Sequence, residues 1–278
     1  MTPLTFSLKN KPEFPVDVSP LTPDLLSAIS KKQIKSIKLT YGKEKIQTGE
    51  LFTITGNDHE NIRIVGDCEK LYCIGQKMSY GMINIDGNVG DFLGQEMQGG
   101  YIKVNGNVRA WVGCSMSGGR IDIAGNTGDH AGARIPGATH GMSNGMIYVS
   151  GNAGDRVGDR MRRGIIIIGG KAGDYCGSRM NAGTIIVLDK TGEYAGVAMK
   201  RGTIILAKKP KHIHATFESC GNLKLEFLRL LFKQLSEMDK ELSIFEKIGP
   251  EALRLSGDHA RNGKGEILIL QILSQAKE

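Results

Sequence analysis

Acidic residues recur at one position of a repeating pattern, at Asp91, Asp129, Asp155, Asp174 and Glu193, with Ala110 interrupting the series. A stacked column of carboxyls is one way to build an active site on a repetitive β-protein. Each acid, however, sits between corner glycines, where carboxylates commonly accept hydrogen bonds from local backbone amides. Turn capping is therefore the expected role, and catalysis by the acid column is the alternative of another class. The adjacent column, Phe92, Trp111, His130, Arg156, Tyr175 and Tyr194, is mostly aromatic and is expected to form an outward surface ladder or a partner contact. For metal, Cys68-x4-Cys73 and His212-Ile213-His214 are the local pairs, and neither has structural-zinc spacing. No G-x-S-x-G motif is present, and Cys176 falls in a column held elsewhere by Ala, Val, Leu or Ile, so it reads as core. The glycine-rich corners lead into strands, whereas a phosphate-binding loop leads into a helix. No catalytic residue and no metal ligand is assigned.

Basic residues give the firmer candidates. Arg134, Arg160 and Arg179 share one repeat position, Arg162 and Lys200 a second, and Arg163 and Arg201 a third. On adjacent repeats such charges would lie about 5 Å apart and must be solvated or paired. They are candidate contacts for a polyanion or an acidic partner surface. The net charge of +7 is concentrated there: residues 156–211 hold twelve Lys/Arg against four Asp/Glu, whereas 82–155 hold four against six. Nucleic acid is disfavoured, because the basic stretch lacks interleaved aromatics beyond Tyr175 and Tyr194.

The elements that position these columns follow from periodicity. Gly75, Gly94, Gly113, Gly132, Gly158, Gly177 and Gly196 recur in steps of 19 residues, apart from one step of 26. A second glycine column (Gly81 to Gly202) and a methionine column (Met78 to Met199) keep the same register. After each second-column glycine comes a run such as Met82-Ile83-Asn84-Ile85, which alternates like a strand with one buried face. This predicts an all-β chain, a right-handed parallel β-helix of about seven 19-residue coils over residues 61–207. An N-terminal α/β cap (1–60) and a C-terminal helical tail (208–278) are expected to close its ends. The outward strand column reads Asn84, Lys103, Asp122, Tyr148, Ile167, Ile186, Ile205, so its apolar late half needs a cover, from the tail helix or a partner. The insertion behind the 26-residue step, around Ile135 to Gly141, is expected to form a lateral loop.

The 38 glycines are thus structural, since only 8 prolines accompany them and charged residues make up 23%. Five scattered cysteines argue against a disulfide framework and for a reducing compartment. The opening Met1-Thr2-Pro3-Leu4-Thr5-Phe6 lacks a basic region followed by an apolar run, and no stretch approaches a membrane span. A soluble, cytoplasmic protein is the expectation.

The G-x-x-G-x-x-x-G repeats resemble the glutamate synthase C-terminal β-helix domain and the C subunit of formylmethanofuran dehydrogenase. Residues 154–164, GDRVGDRMRRG, and 172–180, AGDYCGSRM, are most similar to the C subunit of the bacterial formyltransferase/hydrolase complex. The flanks Asp17-Val18-Ser19-Pro20-Leu21-Thr22, Thr216-Phe217-Glu218-Ser219-Cys220-Gly221, Ser256-Gly257-Asp258 and Gly263-Lys264-Gly265-Glu266-Ile267-Leu268 make the likeness specific and extend it over the whole chain. The resemblance implies a non-catalytic scaffold in a complex that moves a formyl group from tetrahydromethanopterin to a methanofuran-like carrier and releases formate. It also implies formyltransferase and amidohydrolase-like partner subunits, and a carrier whose acidic polyglutamate tail would suit the arginine columns. The C subunit of a molybdenum or tungsten formylmethanofuran dehydrogenase is the alternative within the family.

Overall fold

The computed structural model describes residues 1–238 and 240–271, without the side chain of residue 241. Strand dominates it, as the all-β reading requires. The N-terminal part contributes β1 (Pro3–Leu8), β2 (Val16–Asp17), α1 (Pro23–Leu26), α2 (Lys31–Ser36), β3 (Lys38–Tyr41), β4 (Glu44–Gln47), α3 (Thr48–Leu51), β5 (Phe52–Thr55), β6 (Asp58–Val65) and β7 (Leu71–Tyr72). Thr22 precedes α1 but forms no side-chain cap; Ser30 and Gln33 instead form a capping box on α2. One strand per repeat follows: β8 (Met82–Asp86), β9 (Tyr101–Val104), β10 (Arg120–Ile123), β11 (Met146–Val149), β12 (Ile165–Ile168), β13 (Thr184–Val187) and β14 (Thr203–Leu206).

β6 and β8 through β14 pair in parallel with unbroken register, so Ile83, Ile102, Ile121, Ile147, Ile166, Ile185 and Ile204 stack as one file. All seven are fully buried, as are the seven methionines from Met78 to Met199. A second parallel ladder of single bridges links Cys68, Val89, Val108, Thr127, Ala153, Ala172 and Thr191. Between the ladders the chain turns at glycine. Gly94 has φ +63, and a Cβ there would meet Ile121 Cδ1 at 2.4 Å, so a larger residue would be strained and would clash with the isoleucine file.

Two features depart from the expected architecture. The principal sheet has thirteen strands and is mixed, because β1 pairs antiparallel with β5 and the strands formed after residue 208 pair antiparallel with one another. The segment 208–278 is therefore not simply a helical tail. It holds β15 (Glu218–Lys224), α4 (Glu226–Met238), β16 (Glu251–Gly257) and β17 (Gly265–Leu270). β17 pairs in parallel with β14, Thr203 against Glu266 and Ile204 against Ile267, continuing the stack; β16 and β15 then reverse direction. Leu223, which the apolar periodicity of 223–235 assigns to the helix, lies in β15.

The outward apolar stripe is covered from within the chain. Tyr148, Ile167, Ile186 and Ile205 are buried beneath Leu228, Phe232 and Leu235 of α4, together with Leu242 and Phe245. Just before the stripe turns apolar, buried Asp122 is satisfied by Arg120 Nε at 2.8 Å and by the Tyr101 hydroxyl at 2.7 Å.

The insertion leaves the stack intact, with the β10–β11 register running straight across it. Met142 donates its amide to Gly132 at 2.8 Å, which closes the corner, and Gly141 stands where Arg160 stands one repeat on. The loop is thus residues 134–140, with Arg134 inside it and Gly141 outside. Deleting 134–140 is expected to shift Tm by no more than about 2 °C while weakening assembly with partner subunits, and differential scanning calorimetry with co-purification checks both.

Candidate functional site

The acid column is built into the backbone. Asp91 Oδ1 accepts the amide of Ala110 at 2.8 Å, Asp129 that of Asp155 at 2.8 Å, Asp155 that of Asp174 at 2.8 Å, and Asp174 that of Glu193 at 2.7 Å. Each of these four aspartates therefore caps the repeat above it, as the turn-capping reading expects. The structure adds a neutral counterpart. Asn88, Asn107, Asn126 and Asn152 form a second ladder in which each side-chain oxygen takes the next repeat's amide at 2.7–2.9 Å. Its signal is plain in retrospect: a Gly-Asn pair recurs in the same register at 87, 106, 125 and 151.

The aromatic column forms a surface stack. Phe92 lies on Trp111 at 6.0 Å between centroids, Trp111 on His130 at 4.0 Å, and Tyr175 on Tyr194 at 5.1 Å. The Arg156 guanidinium sits 4.8 Å from the Tyr175 centroid. All six residues hold left-handed backbones with φ of 60 to 69, a conformation costly for side-chain-bearing residues, so the stacking offsets local strain.

The cysteines offer no nucleophile in the core. Cys176 is fully buried and burial pushes its thiol up to about 12; burial also lifts Cys68 to about 12 and Cys73 to about 11. Among the described residues, no group of three His, Cys, Asp or Glu side chains comes together as a metal site, and no helix is long and apolar enough to cross a membrane. His212 and His214 are exposed.

The basic columns are assembled in part. Arg160 and Arg179 occupy equivalent corners of adjacent repeats, both half-buried and both left-handed. Arg179 Nε meets the buried Asp159 Oδ1 at 2.8 Å, so part of its charge is already paired. Arg134 does not join them, because the inserted loop carries it out of register and its Nη1 donates to the Ala138 carbonyl at 3.0 Å. The file of three arginines expected from the spacing is therefore a pair. Arg162, Arg163, Lys200 and Arg201 are exposed as expected. The structure adds two cations from the chain end: Lys264, which the β14–β17 register extends into the file of Arg201, and Arg261, from the short helical turn His259–Arg261 beside the same cleft. Lys200, Arg201, Arg261 and Lys264 line one cleft of about 350 Å³ with Asn181 and Asn262 and no acidic residue. The clue was the run Gly265-Glu266-Ile267-Leu268-Ile269, which repeats the glycine-then-alternating pattern of the earlier strands.

Residues 59–231 match the family model described as the GXGXG motif. The chain belongs to the GXGXG motif family. A solved structure matches from end to end: a chain in the X-ray crystal structure of the formyltransferase/hydrolase complex (FhcABCD) from Methylorubrum extorquens in complex with methylofuran. That chain shares 33% identity and a TM-score of 0.88, over 96% of this chain and 99% of the other. Curated relatives match over shorter spans. The C subunit of the tungsten-containing formylmethanofuran dehydrogenase 2 of Methanothermobacter marburgensis is 33% identical over 98 residues, 34% of this chain and 36% of that protein. The C subunit of the molybdenum-containing formylmethanofuran dehydrogenase 1 of the same organism is 39% identical over 89 residues, 31% of this chain and 22% of that protein. The matched segment thus spans about a third or less of these curated relatives.

Proposed function

We propose that the chain is the scaffold subunit of a cytoplasmic formyltransferase/hydrolase complex, in which other subunits move a formyl group from tetrahydromethanopterin to a methanofuran-like carrier and release formate. The end-to-end likeness to a chain of the Methylorubrum extorquens complex carries this reading. The internal chemistry agrees with it, since carboxylates that could have formed an active site are engaged with backbone amides. Residues 61–207 act as the rigid body, a right-handed parallel β-helix, between an N-terminal cap (1–60) and a C-terminal closure (208–278). Formyltransferase and amidohydrolase-like subunits are the partners. The chain itself holds no cofactor. The curated relatives support the alternative, the C subunit of a molybdenum or tungsten formylmethanofuran dehydrogenase, over a shorter stretch.

The basic surface of Arg160, Arg179, Arg162, Arg163, Lys200 and Arg201, extended by Arg261 and Lys264, is the contact for an acidic partner face or the carrier's polyanionic tail. Exposed contacts contribute only about 0.2 to 1 kcal/mol each, so single changes should be silent. A Lys200→Ala/Arg201→Ala/Lys264→Ala variant is expected to lose about tenfold in affinity for the polyglutamylated carrier or for partner subunits, with a weakened salt dependence. Unchanged binding across a salt series would remove the patch from function. Co-purification with mass spectrometry tests the assembly itself: formyltransferase and amidohydrolase-like subunits should come with the chain. Formyl transfer or hydrolysis by the isolated chain would sink the scaffold reading.

A further inference from the structure

Up to Tyr175, each residue of the aromatic ladder also donates its amide to the repeat above. Phe92 donates to Ala110, Trp111 to Asp129, His130 to Asp155, Arg156 to Asp174 and Tyr175 to Glu193, all at 2.8–3.0 Å. The bridge ladder does the same, Ala153 to Lys171 at 2.8 Å and Ala172 to Lys190 at 3.0 Å. Both patterns stop at the last repeat. Counting on in the same register, Tyr194 should donate to His212 and Thr191 to Lys209; among the described residues neither bond forms. The carboxylate caps end there too, since Asp174 takes the amide of Glu193 but Glu193 takes none above it.

This parting is confined to one corner. At the same level Ala198 donates to the Asp258 carboxylate at 2.8 Å, and Glu266 donates to Gly202 at 3.0 Å, so the rest of the last repeat is closed by the chain end. The segment that should close the open corner, Lys209-Pro210-Lys211-His212-Ile213, carries none of the corner glycines. Two adjoining clefts of about 370 and 440 Å³ separate it from residues 190–194, and both are lined by Glu193 and His212. These volumes are of the size that small-ligand sites occupy.

What lines the slot defines its occupant. Tyr194 ends the stack, is 43% exposed, and lines the cleft of about 440 Å³. A flat ring laid on it would continue the ladder at the spacing the other rings already hold. Lys190, Lys209 and Lys211 line the smaller cleft against the single carboxylate of Glu193. The Thr191 hydroxyl oxygen is enclosed there without a hydrogen-bond partner, and enclosed polar atoms are normally paired. Surplus donors and positive charge ask for an anion.

We propose that this corner is a ligand slot for a small molecule composed of a planar heteroaromatic ring and one anionic arm, phosphate or carboxylate. The ring lies on Tyr194, and the arm reaches Thr191, Lys209 and Lys211. The slot is separate from the basic cleft at Lys200 and Arg201 and does not depend on the assembly reading.

Isothermal titration of the full chain with AMP and with nicotinate tests the slot and separates a phosphate arm from a carboxylate arm. At least one is expected to saturate below the millimolar range, with adenosine and inorganic phosphate each about tenfold or more weaker than AMP if phosphate is the preferred arm. Tyr194→Gly removes the ring while glycine keeps the left-handed backbone at no cost, so Tm should hold while affinity falls about tenfold. Lys209→Ala/Lys211→Ala should weaken binding and flatten its salt dependence. The proposal is overturned if neither AMP nor nicotinate saturates, if inorganic phosphate binds as tightly as AMP, or if Tyr194→Gly binds like the wild type.

Discussion

Replacing Ile186 by Asp is expected to destabilise the chain by about 3 to 5 kcal/mol, the scale of an uncompensated buried charge. Ile186 is fully buried, lies between Ile167 and Ile205 in register, and belongs to the cluster that Leu228, Phe232 and Leu235 of α4 close off from water. A carboxylate there would lie among the apolar side chains of this cluster, and it also forfeits the packing of the isoleucine. The matched control is Leu230→Asp on the outer face of the same helix. Leu230 is 71% exposed, so its replacement should stay within about 0.5 kcal/mol of wild type. Urea denaturation of the two variants reads the difference directly. If both behave alike, α4 does not cover the stripe in solution.

Asp258→Ala carries the second large effect, because this carboxylate stands in for a missing repeat. It is 2% exposed, accepts the Ala198 amide at 2.8 Å and the Ala260 amide at 2.9 Å, and thereby takes the place of the Ser178 and Val197 carbonyls, which accept the Arg160 and Arg179 amides lower in the stack. Losing it would leave these amides without their carboxylate acceptor, at an expected cost of about 2 to 4 kcal/mol. Burial, the largest single influence on the Asp258 carboxyl, pushes its pKa up, but hydrogen bonds from Thr216, Ala198 and Ala260 together outweigh it and hold the group below its ordinary value. The sign follows: a depressed folded-state pKa means the stabilisation is complete above the unfolded value near 3.8 and is lost as pH falls through the lower folded value. The stability gap between wild type and Asp258→Ala should therefore be level from neutral pH down to mildly acidic conditions and narrow only below about pH 4. A gap that narrows already between neutrality and mild acid would show that Asp258 is not the titrating cap.

Much of this molecule was legible as text because each repeat meets the same neighbours as the one before. The file from Ile83 to Ile204, the methionine file and the acid column all recur in one register, so a single stacking rule predicts the buried files of the repeats and their aspartate caps. Even the cover over Ile167, Ile186 and Ile205 was implied, since an apolar outward column cannot face water at that length. Legibility failed where the period breaks. Arg134 keeps the arithmetic spacing of Arg160, but the chain leaves the stack at Arg134 and returns at Gly141, and only the hydrogen bond from Met142 to Gly132 reveals which residue holds the corner. It failed again after residue 208, where the amphipathic pattern of α4 masked two antiparallel strands and the strand β17 that completes the stack. Repetition by itself determined the strands, the core columns and the corner chemistry, because those contacts are nearest-neighbour and identical. Tertiary structure alone decided how the stack ends. Arg261 and Lys264 reach the basic cleft, and Asp258 reaches Ala198, through contacts roughly sixty residues apart in the chain that no local period encodes.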